Sequence, residues 1–566
     1  MTDIRRTILW VIFGFSLVML WDQWQVHNGK TATFFPSGKP AVTAKAPTGA
    51  ASANATAASG ISTVPQGTVA ATDGAVPPVA NPGAASAVPR EQVTVSTDTL
   101  RVTFDTEGGS VVRTEMLKYQ GDKTGEPFVL MNQNPERAYV AQTGLIGGDF
   151  PNHKTVMAFS GDKALKDGAN ELVVKFESPV QGGVKLVKTY TLRRGEYDMG
   201  VQHQVVNTGA APVAPQLYMQ LVRDGNKLPG ESSFYSTFTG PAVYTPEKKF
   251  HKVEFSDIDK NKAEIDKNAE GGYVAMVQHY FASAWILADG VKRENFVRKV
   301  SDNLYAVGMI TPVAVAPGQQ AAVNAKLYSG PEEEKRLEQV ATGLDLVKDY
   351  GWLTILAKPL YWLLSQLHGF IGNWGWSIMA LVLIIKVAFY WLQAKGYESM
   401  AKMKAINPKV MQLRERYKDN PQQMQQEMMR IYKEEKVNPL GGCLPIFIQI
   451  PVFIALYWVL LSSVEMRGAP WVGWIHDLSV QDPYFILPVF MTLTTMLQTA
   501  LNPVPPDPMQ AKMMWFMPLI FSVMFFFFPA GLVLYWITNN VLSIAQQWLI
   551  NVRMGVPPEF NLPKFK

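Results

Sequence analysis

The stretch that decides the fold is residues 371–392, IGNWGWSIMALVLIIKVAFYWL, which carries a single charged side chain, Lys386. It reaches the ~20 predominantly apolar residues that one membrane-spanning helix requires. A lysine near the bilayer centre costs roughly 2.5–3.5 kcal/mol on insertion scales, so this one needs an explanation. Two explanations stay open at this point. The side chain either extends to water beyond the end of the helix or faces a wet cavity between helices.

Four further apolar segments follow this stretch, and one apolar segment begins the chain. Residues 1–26 start with MTDIRR and continue as an apolar run from Ile8 to Trp21, which favours an uncleaved signal-anchor span over a cleaved signal peptide. The sequence therefore predicts a polytopic α-helical membrane protein with six spans, five of them in one core at 370–551. The four segments cover approximately 444–461, 484–501, 515–528 and 531–550.

The charges of the connecting loops predict the topology. The 395–438 loop carries ten lysine and arginine side chains, whereas the 465–483 loop carries only Arg467. Positive charge favours the cytoplasmic side. With six spans, both termini then lie in the cytoplasm, and the region between the first two spans lies outside.

The amino-acid composition of the region between the first two spans changes along its length. Residues 27–91 are dominated by Ala, Pro, Thr, Ser and Gly, which predicts a flexible linker. Residues 92–340 alternate apolar and polar side chains between Gly, Asn, Asp and Pro clusters, which predicts an all-β sandwich. Residues 345–368 carry an apolar stripe with helical period, which predicts an amphipathic helix in the membrane interface. Residues 552–566 form a short tail.

The basic loop at 395–438 reads as a helical hairpin. Asn407-Pro408 and Asn420-Pro421 each place a capping residue before a proline, which predicts two helix starts. Charged side chains such as Arg414 and Arg430 fall on the outer faces. Two interpretations stay open: a solvated surface near anionic lipid, or a docking arm for a cytoplasmic partner.

Polar side chains recur inside the apolar segments. On the last segment they form a stripe at helical spacing, which predicts a hydrated groove between helices rather than ordinary interhelical hydrogen bonding. The stripe consists of Trp536, Asn539, Asn540, Ser543 and Gln547. The other segments add Lys386, Gln449, Thr494 and Gln498, so that all of these are candidates for the groove or for packing between helices.

The motifs of several catalytic classes are missing. No histidine is followed by glutamate, so the HExxH zinc motif is excluded, and no phosphate-binding loop occurs. The single cysteine, Cys443, cannot form an intramolecular disulfide. His203 and His279 fall in alternating strands, where a structural role is the better interpretation. The sequence predicts no enzyme, no cofactor and no metal site.

Several motifs identify a family. SMAKMKAINPKV at 399–410, NPLGGCLPIFIQIPVFIALY at 438–457 and FPAGLVLYWITNN at 528–540 strongly resemble the YidC/Oxa/Alb family of membrane protein insertases. The exported β domain and N-terminal anchor resemble the Gram-negative branch, whose β domain is a galactose-mutarotase-like super-sandwich in the periplasm.

The resemblance implies a function. It implies a chaperone and insertase of the bacterial inner membrane, working alone or with the Sec translocon on nascent membrane proteins. Further partners would be the phospholipid bilayer and, less directly, the ribosome and targeting factors, with no direct nucleic-acid readout. A solute transporter or channel with an external β receptor domain is the alternative, although no internal repeat supports it.

The resemblance also assigns residues. Lys386 falls where the family carries a groove arginine, so the charge is kept and bidentate geometry is lost. Gln449, Asn539 and Ser543 match polar groove positions, and Trp536 matches an aromatic on the substrate path.

Overall fold

The computed structural model describes residues 64–65, 89–121, 125–228, 237–417, 420–435, 444–502, 508–555 and 560–561. The predicted N-terminal span and nearly all of the predicted linker lie outside the described residues. The described chain forms two compact units that divide after Lys348.

In the described residues, the first unit contains eighteen strands that pair antiparallel in two sheets. The strands are β1 Gln92–Ser96, β2 Leu100–Asp105, β3 Ser110–Gln120, β4 Pro127–Gln133, β5 Ala138–Ile146, β6 Ala158–Gly161, β7 Glu171–Glu177, β8 Val184–Arg193, β9 Asp198–Asn207, β10 Gln216–Asp224, β11 Gly240–Thr245, β12 Lys249–Lys252, β13 Asn268–Ala269, β14 Tyr273–Gln278, β15 Phe281–Leu287, β16 Arg293–Ser301, β17 Leu304–Pro312 and β18 Gln320–Pro331. Two short helices, α1 Phe255–Asp259 and α2 Glu334–Val340, and a 3-10 turn at Leu344–Val347 belong to the same unit.

The sheets each have nine strands, in the orders β1-β2-β3-β4-β5-β10-β17-β16-β13 and β12-β11-β14-β15-β18-β9-β8-β7-β6. Their inner faces are joined by side chains that cross between them. Trp285 on β15 is fully buried, and its indole Nε1 donates to the backbone oxygen of Gln220 on β10 at 3.1 Å. Tyr139 on β5 donates to the oxygen of Met276 on β14 at 3.3 Å. The prediction of an all-β sandwich is confirmed.

A buried polar group lies inside this sandwich. Lys188 on β8 is fully buried, and its Nζ donates to the backbone oxygens of Gly108 at 2.6 Å and Thr143 at 2.7 Å. Burial lowers the pKa of Lys188 to about 7. A neutral amine has two N–H bonds, which these two acceptors satisfy. His203, opposite Lys188 on β9, lies 3.0 Å from the Thr143 hydroxyl, and burial lowers its pKa to about 3.

One described pair of linker residues lies beside the sandwich. Val64 packs against a cluster formed by Ile146, Tyr218 and Ile310 on three neighbouring strands. The Tyr218 hydroxyl also lies 2.5 Å from Nδ1 of His153, whose pKa burial lowers to about 3.

The second unit is helical. Its helices are α3 Thr354–Ile371, α4 Trp374–Ala388, α5 Tyr390–Arg416, α6 Pro421–Glu434, α7 Leu444–Ser462, α8 Ile486–Leu501, α9 Pro508–Phe525 and α10 Ala530–Arg553, with 3-10 turns at Gly351–Leu353 and Val464–Met466. Helix α10 is central and packs against α4, α5, α7 and α8, while α3 packs against α4 and α7.

The apolar stretch 371–392 does not form one continuous helix. The stretch is divided at Phe389, whose backbone (φ −96°, ψ 10°) leaves the helical region, and α4 and α5 meet there at 70°. By length and composition, no single helix in the described ranges could cross a membrane, and only the bent pair α4–α5 passes when the two are taken together. Shorter apolar helices cover Gln449–Ser462, Ile486–Leu501 and Ala511–Phe525.

The predicted helix start at Asn407-Pro408 is also wrong. Helix α5 continues through Pro408 to Arg416, so Asn407 is an interior helical residue and not a cap. Proline removes one backbone hydrogen bond, at a cost of about 3 kcal/mol. The buried side chains of Ile406 and Val410 on either side supply the packing that keeps the helix continuous.

The start at Asn420-Pro421 is confirmed. The side chain of Asn420 accepts a hydrogen bond from the backbone N–H of Gln423 at 3.2 Å, and Pro421 occupies the first turn of α6. The two helices of the hairpin are therefore unequal, a long α5 and a short α6. Lys409 on α5 and Glu435 after α6 form an ion pair at 2.5 Å across them.

The amphipathic helix predicted at 345–368 begins later than expected. Gly351, which adopts a positive φ of 66°, begins the 3-10 turn Gly351–Leu353, and α3 starts after this turn at Thr354. Its inner face buries Ala357, Tyr361 and Leu364, and the Tyr361 hydroxyl donates to Glu465 at 2.5 Å.

Candidate functional site: a polar cleft around Lys386

A small cleft lies where the bent pair α4–α5 meets α7 and α10. Most of its wall is apolar, and four side chains with amide or ammonium groups face it. The lining residues are Val382, Ile385, Lys386, Phe389, Gln393, Gln449, Val452, Tyr535 and Asn539.

Lys386 comes from the last turn of α4 and is only 7% exposed. Its Nζ donates to Ser543 Oγ on α10 at 2.7 Å and to Gln393 Oε1 on α5 at 3.4 Å. Ser543 in turn donates its own hydroxyl proton to the backbone oxygen of Asn539 at 2.7 Å. The serine oxygen is therefore oriented as an acceptor for the ammonium.

The ammonium is held by neutral groups. Among the residues that the structure describes, the hydrogen-bond partners of Lys386 are a hydroxyl and an amide, and no carboxylate pairs with it. Ammonium ions removed from water are usually paired with an acid, because the cost of desolvation is high. A buried cation without such a pair can attract an acidic group that enters the cleft.

The prediction of a single polar stripe on the last segment is wrong, because its side chains face two different parts of the bundle, the cleft and α8. Asn539 lines the cleft and Ser543 bonds Lys386. Asn540 instead donates to the hydroxyls of Thr495 at 2.8 Å and Thr494 at 3.2 Å on α8. Successive helical residues lie about 100° apart, so adjacent asparagines cannot share one face.

The α8 side of α10 is thus a packing interface. Gln547 continues it, donating to the backbone oxygen of Leu501 at 3.3 Å and to Asn502 at 3.2 Å. Asn540 and Thr494 belong to this interface and not to the cleft, and Gln498 is half-buried on the same helix as Thr494.

Trp536 does not line the cleft. Its ring is half-buried and contacts Phe453 on α7 and Phe525 on α9, with centroid distances of 4.8 and 5.0 Å. The tryptophan therefore belongs to an aromatic cluster that joins α10 to the two neighbouring helices.

Sequence reasoning missed Gln393. The residue lies seven positions after Lys386, which is two helical turns and the same face, so the spacing could have identified it. Phe389 and Tyr535, which also line the cleft, gave no signal because apolar and aromatic residues are common throughout these segments.

The four hairpin residues lie apart from the cleft lining. Arg430 is exposed and pairs with Glu427 at 3.3 Å and Glu434 at 3.0 Å on its own helix. Asn420 caps α6, while Asn407 and Arg414 are half-buried on α5. They shape the hairpin and do not contribute to the Lys386 site.

Comparison with known proteins places both units. Residues 92–363 match the family described as YidC periplasmic domain, and residues 366–556 match the family described as 60Kd inner membrane protein. The chain is 56% identical over 554 residues to a protein of Cupriavidus necator named membrane protein insertase YidC, covering 98% of each chain. A protein of the same name from Ralstonia nicotianae is 54% identical over 556 residues, again covering 98% of each.

Solved structures give weaker likenesses. A crystal structure of an active YidC insertase with its first transmembrane domain resolved matches with 18% identity and a TM-score of 0.39, covering 81% of this chain and 92% of the other. A galactose mutarotase related enzyme from Lactobacillus acidophilus matches with 11% identity and a TM-score of 0.29, covering 42% and 97%. On the matches to both families and the identity to full-length relatives, the chain belongs to the YidC family of membrane protein insertases.

Proposed function

We propose that this chain inserts integral membrane proteins into the bacterial inner membrane, and that the cleft around Lys386 receives the polar segment that must cross. The observation that carries the proposal is a buried ammonium bonded only to neutral acceptors among the described residues, in a cleft that also presents Gln449 and Asn539.

The cleft lowers the cost of moving polar groups into the membrane. A peptide group taken into hydrocarbon without a hydrogen bond costs several kcal/mol. Side-chain amides in the wall, and water admitted beside them, can accept and donate those bonds. Lys386 adds a positive charge that favours segments with acidic side chains.

The driving force comes from the substrate itself. Once the polar segment has entered the cleft, an apolar helix of ~20 residues partitions into lipid, and each buried leucine or isoleucine contributes roughly 0.3–0.6 kcal/mol on insertion scales. No nucleotide hydrolysis is required, in keeping with the missing phosphate-binding loop.

The proposed topology has six spans. The anchor at 1–26 and five spans at 370–551 place both termini and the 395–438 hairpin in the cytoplasm and the β domain in the periplasm. Ten basic residues in that hairpin, against one in the 465–483 loop, support this orientation.

The proposed partners are nascent membrane proteins, the Sec translocon and, through the hairpin, the ribosome or targeting factors. The exposed charges of α6, including Arg430 and Glu434, offer a surface for a cytoplasmic partner. The transporter alternative is not favoured, because the relatives are named insertases over their full length.

The test is insertion into proteoliposomes that contain the purified chain. A single-span reporter with an acidic translocated tail becomes protected from added protease when its tail reaches the lumen. We expect Lys386→Met to reduce protection several-fold and Lys386→Arg to retain most of it. Lys395→Met is the matched control, since this exposed lysine on α5 lies over the ring of Trp391 at 3.8 Å and outside the cleft. Equal protection with all variants would contradict the proposal.

A further inference from the structure

Gln393 is the second acceptor of the Lys386 ammonium, and it lies beyond the bend at Phe389. Its side chain is 5% exposed and its Oε1 is 3.4 Å from Nζ. In a straight helix, residues seven apart are separated by about 10.5 Å along the axis. The contact therefore spans the break between α4 and α5, and two long side chains are needed to make it.

The Lys386 ammonium could also occupy positions other than the cleft wall. The residue belongs to the last turn of α4, where the unpaired backbone carbonyls of a helix attract a cation. A lysine near a helix end also tends to extend its charge toward water. Ser543 and Gln393 together hold the ammonium against both tendencies and keep it at the cleft wall.

The two acceptors differ in what they can do. Ser543 is fixed, because its proton is already given to the Asn539 carbonyl. Gln393 makes the longer bond, and its neutral amide can yield to a carboxylate without leaving another charge exposed. A bond of 3.4 Å is longer than the ~2.7–3.2 Å of ordinary N–H···O hydrogen bonds and is therefore weak.

We infer that Gln393 is a positioning residue that keeps the Lys386 charge available to acidic side chains of a translocating segment. The inference deepens the proposed function and rests on it. Gln393 acts through Lys386 alone, so its loss lowers the insertion of acidic segments and leaves neutral segments almost unchanged.

The experiment compares two single-span reporters in proteoliposomes that contain the full chain. The reporters differ only in the translocated segment, which carries two aspartates in one and two asparagines in the other. The measured quantity is the ratio of protease-protected acidic reporter to protected neutral reporter. We expect Gln393→Leu to lower this ratio about three- to tenfold, the effect of an ordinary hydrogen bond and less than that of a short bond to a charged group.

Three further variants separate positioning from packing. Gln393→Glu keeps a polar side chain and neutralises Lys386, so the ratio falls further than with leucine. Gln393→Leu combined with Lys386→Met gives the same ratio as Lys386→Met alone. Gln546→Leu, the control, removes a bond of the same 3.4 Å length, from α10 to the Tyr390 oxygen on α5, and leaves the ratio unchanged.

The outcomes are distinguishable. If Gln393→Leu lowers both reporters equally, or if Gln393→Glu leaves the ratio unchanged, the inference is wrong. If Lys386→Met shifts the ratio and neither Gln393 variant does, the inference alone fails. If Lys386→Met leaves the ratio unchanged, the cation role in the proposed function fails with it.

Discussion

The Nζ of Lys386 lies 2.7 Å from the Oγ of Ser543, and this bond joins α4 to α10 within the cleft. The Ser543 oxygen accepts a hydrogen bond from the ammonium, and the Ser543 hydroxyl donates one to the Asn539 carbonyl. One hydroxyl therefore satisfies two groups. The buried Lys386 charge is thus held by α10, the helix that packs against α4, α5, α7 and α8.

Replacing Ser543 by alanine tests this bond. The ammonium loses its shorter acceptor and keeps only the 3.4 Å bond to Gln393 among the described residues, and a lost hydrogen bond to a charged group costs about 1.5–3 kcal/mol. We expect a clear fall in the thermal unfolding temperature of the purified chain in detergent. Ser522→Ala is the matched control, because the buried Ser522 hydroxyl donates only to the Pro518 oxygen of its own helix. Similar melting temperatures for the two variants would contradict the assigned role.

Acid should weaken the β domain through His153 and His203. Burial lowers the pKa of each histidine from an ordinary value of 6.5 to about 3 in the folded chain. The unfolded chain then binds more protons below pH 6.5, so stability falls progressively from pH 6.5 toward pH 3. Hydrogen exchange of the β8 and β9 amides, corrected for intrinsic rates, should rise over this range. In the His203→Gln variant, this exchange rate should rise less steeply as the pH falls. An unchanged slope of exchange rate against pH would count against a buried neutral ring at His203.

Lys188 should make the stability of the β domain depend on pH on the alkaline side. Burial lowers its pKa from 10.5 to about 7, so the folded state holds the neutral amine above that value. Unfolding then takes up a proton between pH 7 and 10.5, and the lysine's contribution to stability grows as the pH rises through that window.

Lys188→Met removes this titration and leaves two carbonyls without their donor. We expect the variant to be less stable than the parent chain at pH 9.5 and closer to it at pH 7, measured by urea unfolding of the β domain within the intact chain. Parallel pH profiles for the two proteins would show that Lys188 does not titrate in this range.

The hairpin offers a matched pair of asparagines. Asn420 caps α6, whereas Asn407 lies inside α5. Asn420→Ala should therefore cost about 1 kcal/mol of helix stability and speed hydrogen exchange in the first turn of α6. Asn407→Ala should leave exchange at positions 409–411 unchanged or slower, because alanine favours a helix interior. Faster exchange there would restore Asn407 as a cap.

Much of this architecture could be predicted from the sequence, because each element has one dominant periodicity. The two-residue alternation of strands such as β7 predicted the sandwich, and the apolar runs predicted the helical unit. Lys386, Gln449, Asn539 and Ser543 were predicted from their polarity, since polar groups in apolar helices need partners, together with the family resemblance.

The misses have a common physical origin in tertiary packing. No proline lies at the Phe389 bend, so the sequence gives no sign of it. Pro408 is tolerated inside α5 because its buried neighbours stabilise the helix by packing. Asn540 faces α8 rather than the cleft because one residue of separation turns the side chain by about 100°. Gln393 was visible in the spacing, and the assumption of a polar loop after residue 392 concealed it.

The most direct test of the central claim is photocrosslinking from the cleft during insertion. A photoreactive residue is placed at position 452, which lines the cleft, or at position 383, whose leucine is exposed on the outer surface of α4. A nascent single-span protein is then arrested while its acidic segment crosses. We predict crosslinks from position 452 to the acidic segment and none from position 383. Crosslinks to that segment from position 383 alone, with insertion intact, would contradict a path through the cleft.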